Sequence, residues 1–128
     1  MSAPKNNPVG WFEIYVNDMK RAKAFYEQVF QITLNELPAP IPGFEMWAFS
    51  MEDGLPGCSG ALVKMEGMTA GGLGALIYFI CDDCAVEEAR VVAAGGAVDR
   101  PKFSIAPYGF ISLVKDTEGN LIGLHSRI

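Results

Sequence analysis

The two side chains best suited to acid–base chemistry are Glu13 and His125. His125 is the only histidine among the 128 residues, so one copy of the chain cannot build a two-histidine, one-carboxylate iron centre. Glu13 is a carboxylate within the otherwise apolar run VGWFEIYV. A carboxylate beside an imidazole fixes its tautomer and raises its basicity, so we predict that the two act as a catalytic acid–base pair or a ligand clamp. The alternative is that backbone donors or an arginine hold Glu13 and that His125 lies on a fraying C-terminal strand.

Aromatic side chains are a second candidate feature, because they commonly line pockets for flat or apolar ligands. The predicted ligand-binding residues are Trp11, Tyr15, Trp47, Tyr78 and Tyr108. Tyr108 stands between Pro107 and Gly109, a loop position from which it is predicted to close over a bound molecule. The alternative for the others is plain core packing, which is favoured for Trp47.

Cys81 and Cys84 form a C-x-x-C pair directly before a predicted helix, a pattern that in other settings indicates a redox site. Two aspartates lie between them and disfavour thiolates, so we expect the spacing to be coincidental. The odd count of three cysteines predicts reduced thiols rather than a disulfide framework. A zinc site that adds Cys58 and His125 is not expected, because only one cysteine pair has ligand spacing.

The elements that must position these residues form a repeat. VGWFEIYV is rich in β-branched and aromatic residues and ends at Asn17-Asp18, two good helix N-caps. Apolar residues at helical spacing then predict a helix from Met19 to Phe30. The same pattern recurs 65 residues later, with Asp83 in the place of Asp18 and Gly95-Gly96 as the helix stop.

Each half continues with three short apolar runs, so the predicted fold class is α+β with two tandem βαβββ modules. The runs are 32–36, 44–51 and 58–64 in the first half, and 97–103, 109–115 and 120–126 in the second. We predict one domain over 1–128, with module one at about 8–65, module two at about 74–128 and a flexible joint at 66–74.

Two stretches carry a resemblance to a known family. They read V-x-D-x-x-R-A-x-x-F-Y from Val16 to Tyr26 and D-x-x-G-N-x-I-x-L from Asp116 to Leu124. Their order and the duplication resemble the vicinal-oxygen-chelate superfamily, which contains glyoxalase I, fosfomycin- and bleomycin-resistance proteins and extradiol dioxygenases. The resemblance covers nearly the whole chain. It implies that the two modules curl their sheets into a cup, with helices outside, that holds a metal, a ligand or both.

Strand side chains alternate between two faces, so parity separates residues that face the helices from those that face the cup. We assign Phe12, Ile14, Val16, Ile77, Phe79, Cys81, Ile122 and Leu124 to the helix side. The cup side then receives Trp11, Glu13, Tyr15, Leu76, Tyr78, Ile80, Leu121, Gly123 and His125.

The resemblance also implies where a divalent metal would be held, namely by His, Gln or Glu in the first and last strands of each module. Those positions fall here on Trp11, Leu76 and Gly123, with Gly60 as the counterpart of Gly123 in the first module. None of the four has a side chain that coordinates a metal. We therefore predict no metal at the family's position and no cofactor.

The charge and apolar content of the chain limit the classes of partner that we expect. Ten basic and fifteen acidic residues leave a net charge of −5, which repels phosphate backbones and anionic lipid surfaces, so neither nucleic acid nor membrane is an expected partner. No apolar run is long enough to span a membrane and the N-terminal MSAPKNNP lacks a secretory h-region, so a cytoplasmic location is expected. The resemblance implies a homodimer, and the 50% apolar content is compatible with one.

Three functional hypotheses remain open. The first is a metal-independent protein of the bleomycin-resistance type that binds a small organic molecule in an aromatic-lined cup. The second is a glyoxalase-like lyase or isomerase, related to lactoylglutathione lyase, that acts on a small oxygenated metabolite with Glu13 as general base. The third and weaker one is a subunit whose cup serves assembly with other proteins.

Overall fold

The computed structural model describes residues 5–68, 74–117 and 119–128. Strand, helix, strand, strand, strand follow each other twice along the chain. The first round consists of β1 (Val9–Tyr15), α1 (Met19–Phe30), β2 (Asn35–Leu37), β3 (Phe44–Ala48) and β4 (Ser59–Met65). The second consists of β5 (Ala75–Ile80), α2 (Cys84–Val91), β6 (Ala97–Ser104), β7 (Phe110–Lys115) and β8 (Leu121–Ser126). The two predicted βαβββ modules are confirmed.

The chain divides into two compact units. The first is Trp11–Leu76, and the second is Ile77–Ile128 together with the residues up to Gly10. The amide of Ile80 donates to the Pro8 carbonyl at 2.9 Å, which ties the segment before β1 to the second unit. The predicted joint at 66–74 lies partly outside the described residues. That residues 1–128 form one domain stays a prediction.

In the first unit the strands lie in the order β2, β3, β4, β1. β1 runs parallel to β4, and β3 runs antiparallel to both β2 and β4. β2 is shorter than the predicted run 32–36 because that run is tied to α1, where the Glu27 carboxylate accepts from the Leu34 amide at 2.8 Å. Pro38 then follows β2 and lacks the donor that a longer strand would need.

The core of the first unit lies between its sheet and α1. Its buried members are Val16, Met19, Leu34 and Leu62, with Ile14, Ala22, Tyr26, Ile32, Trp47 and Phe49 packed against them. The helix begins at Asp18, whose carboxylate accepts from the Arg21 amide at 3.0 Å. The predicted helix-side placement of Ile14 and Val16 is confirmed. Because strand residues alternate, Glu13 and Tyr15 point to the opposite face.

In the second unit the strands lie in the order β5, β8, β7, β6. Its core holds Cys81, Cys84, Val114 and Leu124, with Phe79, Val91, Val98, Phe110 and Ile122 packed against them. The predicted helix-side placement of Phe79, Cys81, Ile122 and Leu124 is therefore confirmed, whereas Ile77 is 42% exposed. Among the described residues, no helix is long and apolar enough to cross a membrane.

The three cysteines are free thiols, as predicted. Cys81 and Cys84 are buried in the second unit's core, and Cys58 is exposed. Burial and the nearby Glu87 carboxylate raise the pKa of Cys81 to about 12. A thiol with so high a pKa is a poor nucleophile, so the C-x-x-C pair packs as core and carries no sign of a redox role.

Candidate functional site

Glu13 is a buried carboxylate held by two aromatic donors on its own strand. Only 6% of the residue is exposed. The indole Nε1–H of Trp11 donates to one of its oxygens at 3.3 Å, and the phenol O–H of Tyr15 donates to the other at 3.0 Å. All three residues lie on β1 at alternate positions, so they share one face of the sheet. We call this surface of the first unit the Glu13 face.

The rest of the Glu13 face is made of small and apolar side chains. The strand register places Ala61 beside Glu13 and Ala48 beside Ala61, and it places Val63 and Met46 in line with Tyr15. Ala61 and Val63 are fully buried and Ala48 is 1% exposed. The two alanines leave Glu13 as the largest side chain in its row, which ends at Asn35 of β2, the partner of Ala48. The carboxylate thus lies among buried, mostly apolar neighbours.

The electrostatics of this group keep Tyr15 protonated. Burial, the negative charge of Glu13 and the hydrogen bond to it all raise the pKa of Tyr15 well above its ordinary value. The phenol therefore remains a neutral donor throughout the physiological range.

Trp47 is not brought together with Trp11 and Tyr15. It pairs with Leu62 across β3 and β4 and packs against the core beneath α1, the face opposite Glu13. Its indole Nε1–H donates to Glu45 at 3.0 Å, and the Lys23 ammonium lies 4.4 Å from the ring centroid. This position corresponds to the core-packing alternative stated for Trp47.

Tyr78, in the second unit, is also buried, with 7% of the residue exposed. It pairs with Gly123 of β8, and a Cβ at position 123 would overlap the Tyr78 ring. The ring thus lies directly against the backbone of β8, which only a glycine permits. Gly123 is required here by packing, whichever role Tyr78 has.

His125 has a fixed ring and a fixed tautomer. It lies within β8, paired with Ile80 on one side and Ile111 on the other, so its strand is not frayed. Its Nε2 lies 2.6 Å from the backbone carbonyl of Tyr108. A carbonyl only accepts, so Nε2 carries the proton and, in the neutral ring, the basic lone pair is on Nδ1. The structure thus brings His125 and the Tyr108 backbone together.

Glu13 belongs to the first unit and His125 to the second. That they form a pair stays a prediction. The sequence analysis did not identify Trp11 and Tyr15 as hydrogen-bond donors to Glu13. The pattern W-x-E-x-Y contains the signal, because alternate strand residues are neighbours on one face.

The strand register corrects one assignment at the family's metal positions. Gly123 pairs with Tyr78, and the position that corresponds to Tyr78 in the repeat is Glu13, which pairs with Ala61. The counterpart of Gly123 is therefore Ala61 and not Gly60, which pairs with Phe12 on the helix face. Alanine has no ligand atom either, so the side chains at these positions do not fit a divalent metal. Within the described ranges, no three His, Cys, Asp or Glu residues are grouped to hold one.

A surface groove of about 570 Å³ lies elsewhere on the first unit. Its walls include Phe44, Glu45, Lys64, Met65 and Met68, at the ends of β3 and β4. None of the predicted site residues lines it. Glu13, Trp11 and Tyr15 therefore lie outside this groove.

A family model decides the classification. The model of the Glyoxalase/Bleomycin resistance protein/Dioxygenase superfamily matches residues 9–124. The chain belongs to this superfamily. This confirms the resemblance seen in the sequence. No curated protein matches the chain significantly.

Solved structures agree with the fold of the superfamily. A hypothetical protein from Bacillus halodurans C-125 has a TM-score of 0.73 at 13% identity, covering 97% of this chain and 96% of that one. Methylmalonyl-CoA epimerase from Streptomyces coelicolor, in complex with 2-nitronate-propionyl-CoA, has a TM-score of 0.66 at 16% identity, covering 93% and 96%. An uncharacterized protein from Methanosarcina mazei has a TM-score of 0.61 at 20% identity, covering 94% and 95%. At these identities the likeness establishes the α+β glyoxalase fold alone.

Proposed function

We propose that this superfamily member binds a small organic molecule at the Glu13 face without the family's usual metal. The observation that carries the proposal is the buried Glu13 carboxylate, with Trp11 and Tyr15 donating to its two oxygens. Small-molecule sites are mostly apolar and contain a few fixed polar groups that set the ligand's orientation. A preorganised carboxylate between two aromatic rings, among buried alanine, valine and methionine side chains, has that composition.

The two tryptophans provide a matched test. Trp11→Leu removes an aromatic ring from the Glu13 face, whereas Trp47→Leu removes one from the opposite face. Naphthalenemethanol and related flat aromatic probes, titrated by calorimetry, should bind the wild type and the Trp47 variant alike. They should bind the Trp11 variant at least about tenfold more weakly. Equal loss in both variants would contradict the proposal.

The metal-free part of the proposal has its own measurement. Metal analysis of the purified protein should give far less than one divalent ion per chain, and probe binding should be unchanged by a chelator. Probe binding that is lost with a chelator and restored by zinc, nickel or manganese would show that binding requires a metal and would contradict this part of the proposal.

Catalysis with Glu13 as general base is the second candidate. Its support is that a carboxylate held by two donors is positioned to take a proton from carbon in a lyase or isomerase reaction. Because methylmalonyl-CoA epimerase shares the fold, methylmalonyl-CoA in deuterated water is the first substrate to try. Deuterium incorporation that Glu13→Gln abolishes would favour the enzyme, and no incorporation would leave the binding function.

We further propose a cytoplasmic homodimer with a small-molecule partner. Light scattering after size-exclusion chromatography should give twice the chain mass at micromolar concentration. A monomer mass at every concentration would contradict the dimer.

A further inference from the structure

The outward side of α1 is apolar in its second half. Phe25, Val29 and Phe30 are 57%, 55% and 59% exposed. Residues three or four apart are neighbours on a helix surface, and the Tyr26 ring contacts both phenylalanine rings, at centroid distances of 5.1 and 6.2 Å. Phe25, Val29 and Phe30 therefore form one surface, which we call the α1 patch. Exposed groups of large apolar side chains mark contacts with other molecules.

The second module shows that the fold does not require this patch. At the repeat offset of 65 residues, its counterparts are Arg90, Ala94 and Gly95. Both helices pack against their own core through other residues. The α1 patch is therefore available for a contact outside the module.

The first turn of α1 is basic, which the helix dipole disfavours. It contains Lys20 and Arg21 and no acidic residue, so the Asp18 cap offsets only one of the two charges. The first turn of α2, in contrast, contains Glu87. A helix N-terminus favours negative charge nearby. Because Arg21 lies four residues before Phe25, it borders the α1 patch, and a partner that brings carboxylates there would stabilise this end of the helix.

The complementary surface lies on the same unit, in residues 51–55, which we call the acidic loop. Its sequence is MEDGL, and all five residues are exposed. Glu52 and Asp53 stand between Met51 and Leu55, which are 56% and 65% exposed. The Leu55 amide donates to the Glu52 carbonyl at 3.3 Å, so the loop contains a turn. Carboxylates flanked by apolar side chains match a basic helix end next to an apolar patch.

The acidic loop begins close to the α1 patch. Phe49, two residues before the loop, contacts the Tyr26 ring at 6.0 Å between centroids. The five apolar side chains of the two surfaces are each more than half exposed and offer roughly 500 Å² per copy, at about 200 Å² for a whole large side chain. A standard interface takes about 800 Å² per partner, about 65% of it apolar in homodimers. The two surfaces together thus supply the apolar share of one dimer interface.

We propose that the α1 patch binds the acidic loop of a second copy of this chain, with a two-fold axis that repeats the contact. Such an interface makes every pairing twice, because each copy presents both surfaces. Arg21 then faces the carboxylates of the acidic loop of the partner subunit, and Phe25 packs against the apolar residues of that loop. The inference rests on the proposed homodimer and adds its interface.

A patch variant tests the apolar contact. Sedimentation velocity over a concentration series measures the dissociation constant of the dimer. Phe25→Arg combined with Val29→Ala installs the residues that α2 has at these exposed positions, and should raise this constant at least about hundredfold. Val92→Arg changes a 68% exposed side chain of the second unit and should leave the constant unchanged. Circular dichroism should show that both variants keep the helices and strands.

A charge exchange tests which surfaces meet. Arg21→Glu should weaken the dimer at least about tenfold, and so should Glu52→Lys combined with Asp53→Lys. When these two variant chains are mixed in equal amounts, a heterodimer within about threefold of the wild-type affinity should form. One of its contacts is native and the other is reversed in sign, so both are attractive. Recovery on mixing requires Arg21 to face the acidic loop of another chain.

The outcomes distinguish the interface from the dimer that it is assigned to. A dimer that survives the patch variant, or variants that fail to recover on mixing, would overturn the interface and leave the homodimer standing. A wild type that is monomeric at every concentration would overturn both. If that monomer sedimented with phosphatidylserine vesicles and the patch variant did not, the α1 patch would belong to an anionic membrane surface instead.

Discussion

Glu13 and Tyr78 occupy the same place in the two modules, because they are related by the repeat offset of 65 residues. Each lies next to a residue of the module's last strand, Ala61 for Glu13 and Gly123 for Tyr78. The unbranched side chain of Glu13 fits beside the Cβ of Ala61. The phenol ring of Tyr78 leaves no room for a Cβ at position 123, so this position must be glycine. One backbone pattern therefore holds a polar anchor in one module and a packed ring in the other.

The residues two positions to either side explain why only the first module carries a carboxylate here. Glu13 has Trp11 and Tyr15 at these positions, and both donate to it. The corresponding residues around Tyr78 are Leu76 and Ile80, which have no polar hydrogen. A buried carboxylate without hydrogen-bond donors is expensive. The two modules thus share the strand register and differ in the side chain held at this position.

The largest expected effect is on the packing of Tyr78 against Gly123. Gly123→Ala places a methyl group where the ring lies and should lower the free energy of unfolding by about 3 kcal/mol. The control is Ala61→Gly, which changes the counterpart of Gly123 in the first module to glycine. It should lower the free energy of unfolding by only about 1 kcal/mol. Chemical denaturation of both variants measures the difference. Equal effects would mean that Tyr78 does not lie against position 123.

A smaller effect is expected at the carboxylate. In Glu13→Gln, one carboxylate oxygen is replaced by an NH2 group, which cannot accept the hydrogen bond from Trp11 or Tyr15. The free energy of unfolding should therefore fall by about 2 kcal/mol. Glu45→Gln changes the other carboxylate that accepts from a tryptophan, at a less buried position, and should cost well under about 1 kcal/mol. A Glu45 variant that is as unstable as the Glu13 variant would remove the distinction between the two faces.

Much of this contrast could be read from the sequence. The helices begin at Asp18 and Asp83 because an aspartate precedes a helical pattern of apolar residues in both modules, and parity placed Glu13 and Tyr15 away from α1. The register of β4 was not accessible, because it depends on which backbone groups pair across strands. That is why Gly60 was matched to Gly123 in place of Ala61. The core packing that the sequence favoured for Trp47 follows from the register of β3, which pairs Trp47 with Leu62 on the α1 side.

Tyr15→Phe tests the hydrogen bond that the Tyr15 phenol donates to Glu13. Loss of the hydrogen bond to Glu13 should lower the free energy of unfolding by about 1 kcal/mol at neutral pH. The pKa of Tyr15 is raised in the folded state, so the wild type should also lose stability as the pH rises above ~10, where tyrosine in the unfolded chain ionises. The phenylalanine variant should show less of this alkaline loss. An ultraviolet titration, in which one of the four tyrosines ionises last in the wild type only, is the direct measurement.

The smallest effect is expected at the two helix caps, where the modules can be compared a second time. Asp18 accepts from the Arg21 amide, whereas Asp83 accepts from the Ala85 amide at 3.0 Å and from the Lys102 ammonium at 2.8 Å. The pKa of both carboxyls is lowered, that of Asp18 chiefly by its backbone bond and that of Asp83 chiefly by the bond to Lys102.

A carboxyl with a lowered pKa in the folded state stabilises the fold above its ordinary pKa, and that contribution is lost as the pH falls through the folded value. Asp83→Asn and Asp18→Asn should therefore each flatten the decline of thermal stability below about pH 4. Asp83 accepts directly from an ammonium group, whereas Asp18 is only influenced by the charges of Arg21 and Lys64. Added salt should therefore weaken the contribution of Asp83 more than that of Asp18, and Lys102→Met should reproduce that weakening. Thermal midpoints recorded between acidic and neutral pH, at low and high salt, make the comparison. A salt dependence that is the same for Asp18→Asn and Asp83→Asn would show that Lys102 contributes nothing at the second cap.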